Sequence, residues 1–329
     1  MKGIHTLTIQ SAHLKYEMKF SRNITIIQGD SATGKTTLVD MIQEYLLNGS
    51  DTGISLNCDI PCRVVSGNTW IKQLEDIENS IVFIDEGNRF VSSHDFAVTI
   101  NGSSNYYVII TREALYNLPY SVTEIYGIRS SGKFGSLTPI YHHMYRIYPS
   151  DSVSQPAKSN TLVVEDTNSG YEFFSGLLSG TNKKCISAGG ASGIFDRIME
   201  IKPVEGYEQI TVIADGAAFG SQMSRLYSLS RYGKCIQMYL PESFEWIILS
   251  SDVLEDGEVR RILEKPSEYI DSREYVSWER FFTSILTSKS SGSWMQYSKS
   301  KLNPVYLQGK CRDRILAVIP ERIREFFSS

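Results

Sequence analysis

The chain lacks the features that mark several common classes of protein. It has five cysteines in 329 residues, and the only near pair, Cys58 and Cys62, has no histidine or second pair at zinc-site spacing. No apolar run approaches the length of a membrane span, and residues 1–6 lack the apolar core of a signal peptide. The net charge of −4 gives no global positive field for nucleic acid. We therefore expect a cytoplasmic protein with reduced cysteines and no membrane partner.

One short stretch fits a phosphate-binding pattern at every fixed position. Residues 29–36 read Gly-Asp-Ser-Ala-Thr-Gly-Lys-Thr and match G-x-x-x-x-G-K-[ST], with a strand-like run before them and a helix-like run after them. Glycines let successive backbone N–H groups face the phosphates, and the helix N-terminus adds the positive end of its dipole. The candidate nucleotide-binding residues are Gly29, Asp30, Ser31, Ala32, Thr33, Gly34, Lys35, Thr36 and Thr37.

The residue types in and after this P-loop predict hydrolysis of a nucleoside triphosphate with Mg²⁺. Lys35 is expected to reach the β- and γ-phosphates, and Thr36 to place its hydroxyl on the metal ion. A second apolar run, 81–84, has the character of a buried parallel strand and ends in two acids. We assign Asp85 to Mg²⁺ and Glu86 to the attacking water, with Lys35 and Glu86 as catalytic residues.

A third strand-like run, 106–110, ends in Thr111 and Arg112, where a polar side chain would sense the γ-phosphate. Arg112 or Arg129 is a candidate arginine finger, within one chain or across an interface. ATP is favoured over GTP because the chain has no guanine-reading Asn-Lys-x-Asp motif. A small-molecule kinase is disfavoured because residues 49–62 contain no arginine-rich lid.

The N-terminal segment leads into the P-loop through a predicted hairpin. Alternating apolar runs near 4–10 and 14–20 indicate two paired strands. With the P-loop, this hairpin resembles ABC/SMC-related ATPases in a much reduced form. Residues 66–80 lack the Ser-Gly-Gly signature that such an ATPase carries shortly before its Asp-Glu strand. The resemblance leaves an ATP-driven dimer open, and we expect either a homo-oligomer or a complex with a partner protein.

Composition predicts an α/β protein with two domains. Residues 150–160 are rich in Ser and Pro, which predicts a linker. This linker would follow a P-loop ATPase domain at 1–149. Strand-like and helix-like runs then alternate over 161–265, which predicts a smaller α/β domain with a parallel sheet. Residues 266–329 are predicted to form a partly basic, helical C-terminal extension.

Two strand ends of the second region carry acids, Glu165 and Asp215. Together with Gly189-Gly190 and the Pro-Glu-Ser-Phe-Glu stretch at 241–245, they resemble the TOPRIM fold of topoisomerases, primases and overcoming-lysogenization-defect nucleases. The resemblance covers roughly residues 160–255 and extends to bacterial anti-phage ATPase–nuclease pairs. It implies Mg²⁺ held by Glu165 and Asp215, a catalytic role for Glu165, and a function in defence or mobile-element biology with DNA or RNA as a partner.

The second region also departs from the family pattern. Ala217 stands where the family has the second Asp of Asp-x-Asp, and Asp166 stands where Gly is usual. Asp166, Glu242 or Glu245 is a candidate third oxygen ligand, but two-metal cleavage needs more carboxylates than are clearly present. Three interpretations stay open: a metal-dependent nuclease, a non-cleaving domain of a nucleotide-gated sensor whose two strand-end acids cap helices, and an unrelated α/β domain.

The C-terminal region combines basic and aromatic residues. Eight basic residues between 289 and 324 stand against two acidic ones, with Trp294, Tyr297 and Tyr306 among them. Such a segment would bind nucleic acid by neutralising phosphates and stacking on bases, with Lys299 and Lys301 among the contacts. A solvated helix with ordinary core aromatics explains the same residues and is slightly preferred.

Overall fold

The protein divides into two compact units. The computed structural model describes residues 1–29, 33–130, 140–148, 159–201, 209–229 and 235–328. Unit 1 comprises 1–149 and 265–277, and unit 2 comprises 150–264 and 278–329. The predicted extension at 266–329 is therefore divided between the two units. The predicted linker lies mostly outside the described residues.

Unit 1 is built on a mixed, mostly parallel sheet that has nine strands in the described part of the chain. These are β1 (His5–Gln10), β2 (Leu14–Phe20), β3 (Ile24–Ile27), β4 (Ser55–Cys58), β5 (Cys62–Val64), β6 (Ile81–Ile84), β7 (Tyr106–Ile110), β8 (Ile125–Ser130) and β9 (Ile140–Arg146). Their order across the sheet is β4-β1-β2-β9-β8-β3-β7-β6-β5. The predicted hairpin is confirmed, because β1 and β2 pair antiparallel.

Burial follows the position of each strand in the sheet. β1 and β2 alternate buried and exposed side chains, as expected for strands with one solvated face. The parallel strands β3, β6 and β7 are buried at every position, which explains their unbroken apolar runs. The described helices of this unit are α1 (Lys35–Asn48), α2 (Trp70–Glu75) and α3 (His94–Ile100).

Residues 265–277 return to unit 1 and bind residues that precede two of its strands, β1 and β3. The Gly3 amide donates to the Ser267 carbonyl at 2.7 Å, and the Asn23 side-chain amide donates to the Tyr275 carbonyl at 2.9 Å. These bonds satisfy backbone groups that the segment would otherwise leave unpaired. The segment is therefore part of unit 1, although it is distant in sequence.

Unit 2 contains a second sheet, and all of its described strand pairs are parallel. Its strands are β10 (Ser159–Val164), β11 (Lys184–Ser187), β12 (Gln209–Ile213) and β13 (Cys235–Tyr239), in the order β11-β10-β12-β13. Its helices are α4 (Ser169–Leu177), α5 (Gly193–Glu200), α6 (Met223–Leu229), α7 (Phe244–Ser250), α8 (Gly257–Glu264), α9 (Trp278–Ser290), α10 (Gly309–Val318) and α11 (Glu321–Arg324). The predicted α/β class and second parallel sheet are confirmed. Within the described ranges, no helix has the length and apolar character needed to cross a lipid bilayer.

Candidate functional site

The P-loop and the Asp-Glu pair lie at one edge of the unit 1 sheet. β7 lies between β3 and β6, and all three are parallel, so their carboxyl ends meet at the same edge. The P-loop follows β3, Asp85 and Glu86 follow β6, and Arg112 follows β7. The structure thus brings together the predicted site residues of unit 1, apart from residues 30–32, which lie outside the described part.

The P-loop lysine lies inside the loop that it belongs to. Gly34 has a φ of +86° and is followed directly by α1, which begins at Lys35. The Lys35 ammonium donates to the Gly29 carbonyl at 2.8 Å and to the Thr33 hydroxyl at 3.0 Å, and the residue is only 5% exposed. The positive charge is therefore held at the N-terminus of α1, where a phosphate group would meet it.

Two aromatic side chains, Tyr16 and His142, pack against the P-loop at Gly34, and neither was predicted from the sequence. The rings of Tyr16 and His142 stack with centroids 4.4 Å apart, and the Tyr16 hydroxyl donates to the Gly34 carbonyl at 2.9 Å. A Cβ atom on Gly34 would lie 2.7 Å from that hydroxyl and 3.0 Å from the His142 ring. Gly34 is thus required both by its backbone angle and by this contact.

Asp85 has an oxygen that is free to accept a cation. Burial raises the pKa of Asp85, and hydrogen bonds from the Glu86 backbone amide and the Thr36 hydroxyl act against that rise. The Asp85 Oδ1 atom is buried and, among the described residues, has no hydrogen-bond partner. Because buried carboxylate oxygens are normally paired, this atom indicates a ligand site. The Thr36 hydroxyl and the Asp85 carboxylate are hard oxygen donors that fit Mg²⁺.

Glu86 and Arg112 form an ion pair next to this carboxylate. The Arg112 Nε atom lies 2.6 Å from Glu86 Oε1. Both residues line a cavity of about 460 Å³ that also includes Asp85, so the three side chains share one space. Arg129, the other candidate finger, places its guanidinium 4.8 Å from the ring centroid of Tyr145.

The two strand-end acids of unit 2 are also brought together. β10 and β12 are neighbours, so Glu165 and Asp215 leave the same edge of the second sheet. The Asp215 amide donates to Glu165 Oε2 at 2.9 Å, and Asp215 Oδ1 accepts from the Phe244 amide, at the start of α7, at 3.1 Å. Each carboxylate therefore already binds a backbone amide, and Asp215 caps a helix of the same unit.

Burial decides the ionisation of this pair. It raises the pKa of Glu165 to about 7, and the negative charges of Glu279 and Asp166 add to the rise. It raises the pKa of Asp215 well above its ordinary value, again with contributions from neighbouring carboxylates. Lys299 acts in the opposite direction on both acids. The pair is thus short of positive charge.

The candidate third ligands are mostly engaged elsewhere. Both oxygens of Asp166 accept backbone amides at the start of α4, including that of Gly170 at 2.8 Å. Glu245 is 1% exposed, and its Oε1 atom accepts from the Tyr297 hydroxyl at 2.8 Å. Ala217 is buried and offers no ligand. In the described ranges, no three His, Cys, Asp or Glu side chains are grouped as metal ligands, so the residues present do not fit the Mg²⁺ site that the resemblance implied for unit 2.

Lys299 occupies a different place from the one expected of a nucleic-acid contact. Its ammonium lies 2.7 Å from Glu279 Oε1 and 3.8 Å from Glu245 Oε1. Tyr297 and Tyr306 are buried, so they are core residues and not stacking surfaces, whereas Trp294 is 72% exposed. Sequence spacing offered no signal for the contact of Lys299 with the carboxylates, which depends on tertiary packing.

Comparison of the chain with protein-family models, with curated proteins and with solved structures gives no match.

Proposed function

We propose that the chain is an ATP-binding and ATP-hydrolysing protein whose P-loop unit controls an attached TOPRIM-like domain. The observation that carries the proposal is the buried, unpaired Oδ1 atom of Asp85, whose carboxylate is close enough to the Thr36 hydroxyl for that hydroxyl to lower its pKa. An oxygen pair of this kind, beside a lysine held in a glycine-rich loop, supports Mg²⁺-nucleotide binding.

Each residue of this edge has a role in the proposed reaction. Thr36 and Asp85 would hold Mg²⁺, which neutralises phosphate charge when it is bound. Lys35 binds the β- and γ-phosphates, and Glu86 takes the proton of the attacking water. Arg112 orients the Glu86 carboxylate through their ion pair.

For unit 2, the geometry favours the non-cleaving, nucleotide-gated interpretation over a nuclease. Glu165 and Asp215 are bonded to backbone amides, Ala217 offers no third carboxylate, and a lysine lies among the acids. Two-metal cleavage of a phosphodiester needs a larger set of oxygen ligands. We propose DNA or RNA as a ligand that this domain binds in defence or mobile-element biology, and not as a substrate.

The test of the ATPase is release of inorganic phosphate from ATP with Mg²⁺ and no acceptor. Lys35→Ala is expected to abolish turnover and weaken nucleotide binding, because the loop loses its phosphate-binding charge. Glu86→Gln is expected to keep binding and to lower kcat about 10²- to 10⁴-fold, as for loss of a general base. Lys72→Ala, on the exposed face of α2, is the matched control and should behave as wild type. Unchanged turnover in both site variants would refute the proposal.

The test of unit 2 is incubation of DNA and RNA with Mg²⁺ or Mn²⁺, with and without ATP. The non-cleaving interpretation expects intact nucleic acid under all conditions. Cleavage by the wild type that is lost in Glu165→Gln would instead establish a metal-dependent nuclease. Glu264→Gln, at the exposed end of α8, controls for loss of a carboxylate alone.

A further inference from the structure

Unit 2 contains a lysine within a group of carboxylates. We call Glu165, Asp215, Glu245 and Glu279 the carboxylate cluster. The Lys299 ammonium lies 2.7 Å from Glu279 Oε1 and 3.8 Å from Glu245 Oε1. Glu165 accepts from the Asp215 amide at 2.9 Å, and Asp215 accepts at 3.1 Å from the amide of Phe244, the residue before Glu245. One positive charge thus lies among four acids, of which two are on helices, α7 and α9, and two follow strands, β10 and β12.

The cluster needs a cation because it is poorly solvated. Glu245 is 1% exposed, and its Oε2 atom has no hydrogen-bond partner among the described residues. A buried carboxylate without compensation is strongly disfavoured, so a nearby positive charge is required for it to stay ionised. Within the described residues, the cation that is seen to meet this requirement is Lys299.

The backbone holds Lys299 in place independently of its charge. The Lys299 carbonyl accepts from the Ser169 amide at 3.2 Å, at the first residue of α4. Three residues later, the Leu302 amide donates to Glu172 Oε2, also on α4, at 2.6 Å. The segment is therefore bonded to α4 at the lysine and three residues after it, which holds the Lys299 backbone next to the cluster.

We propose that Lys299 is the resident cation of the carboxylate cluster and takes the place of a divalent metal ion there. A tethered ammonium needs no free ligand to fill the site, and a divalent ion entering beside it would be repelled by its charge. The inference rests on the proposed TOPRIM-like character of unit 2 and is independent of ATP hydrolysis in unit 1.

The experiment is a Mn²⁺ titration of the full chain without nucleotide, in which electron paramagnetic resonance counts bound Mn²⁺. Lys299→Met removes the charge and keeps the length of the side chain, and Lys301→Met, at an exposed position nearby, is the control. We expect Lys299→Met to bind one Mn²⁺ ion more per chain than wild type, because the carboxylates then lack their resident cation. Adding Glu165→Gln should remove that site. A folded Lys299→Met variant that gains no Mn²⁺ site would overturn the proposal.

A second measurement does not depend on the folding of that variant. The unfolding midpoints of wild type and Glu165→Gln, which both retain Lys299, are followed as Mn²⁺ is added. The proposal expects the same Mn²⁺ response in both proteins, because the cluster binds no divalent ion. A Mn²⁺-dependent rise in wild type that Glu165→Gln abolishes would overturn it. ATP turnover of the same preparations tests unit 1 separately, so failure of one proposal is distinguishable from failure of the other.

Discussion

Replacement of Glu165 by glutamine is expected to stabilise unit 2 at neutral pH, although it removes a predicted site residue. Burial holds the pKa of this carboxyl at about 7, against 4.5 for an unburied glutamate. Between these two values the unfolded chain releases the proton and the folded chain keeps it. The folded state then binds more protons than the unfolded state, so its stability falls as the pH rises. Glutamine is neutral in both states and has no such dependence.

The size of the effect follows from the two pKa values. The difference between 4.5 and about 7, at roughly 1.36 kcal/mol per pH unit, is about 3 kcal/mol. Below pH 4.5 the wild type and Glu165→Gln should be equally stable, because glutamine resembles the protonated acid. Above pH 7 the variant should be more stable by up to about 3 kcal/mol. Glutamine can still accept the Asp215 amide, so the hydrogen bond to Oε2 is retained.

The assay is urea unfolding in EDTA at pH 4.5, 6 and 8, read by tryptophan fluorescence. The chain has four tryptophans, of which Trp70 is in unit 1 and the other three are in unit 2. A Trp70→Phe background therefore restricts the signal to unit 2. Glu264→Gln, an exposed carboxylate of the same unit, is expected to change stability by less than about 0.5 kcal/mol at each pH. A stability difference between wild type and Glu165→Gln that stays constant from pH 4.5 to 8 would refute the reasoning.

Two other substitutions test the packing of the two sites. Gly34→Ala would place a Cβ atom 2.7 Å from the Tyr16 hydroxyl at a φ of +86°, so we expect loss of nucleotide binding and destabilisation of about 1–3 kcal/mol. Gly53→Ala also places an alanine at positive φ but meets no neighbouring atom, so it measures the cost of the backbone angle alone. An equal loss of stability in the two variants would contradict a role for the Tyr16 contact. Tyr297→Phe removes the hydroxyl that donates to Glu245 and should cost about 1–3 kcal/mol in urea unfolding of unit 2. A loss below 0.5 kcal/mol would show that the carboxylate finds another partner.

Local sequence signals predicted the elements that position both candidate sites. The P-loop pattern, the apolar strands before it and before Asp85, and the N-terminal hairpin all involve residues that are close in sequence. Each signal depends on backbone geometry or on burial of a whole strand, which a short window of sequence reveals. The parallel sheet of unit 2 was predictable for the same reason, since each strand is followed by a helix-like run.

Long-range contacts were outside the reach of such signals. Residues 265–277 carry no pattern that assigns them to unit 1, because partners such as the Met1 carbonyl and the Gly3 amide are backbone groups that precede the first strand. His142 supports the P-loop from a strand more than one hundred residues later in the chain. Lys299 lies among other basic residues in the sequence, which is compatible with a nucleic-acid contact or with a solvated helix, yet it contacts acids on α7 and α9. In each case the partner is chosen by tertiary packing and not by sequence spacing.

The same sequence pattern, an apolar strand followed by an acid, has different consequences in the two units. Asp85 retains an unpaired oxygen beside a threonine hydroxyl, at the edge of an open cavity. Asp215 Oδ1 accepts a hydrogen bond from the Phe244 amide at the start of α7, and the Lys299 charge acts to lower the pKa of Asp215. A carboxylate recruits a metal ion only when its negative charge is not already compensated by the protein. The acid of unit 1 therefore retains an oxygen for a ligand, whereas that of unit 2 is bonded to a helix amide and lies near a lysine, and it is the neighbours of each acid that distinguish the two sites.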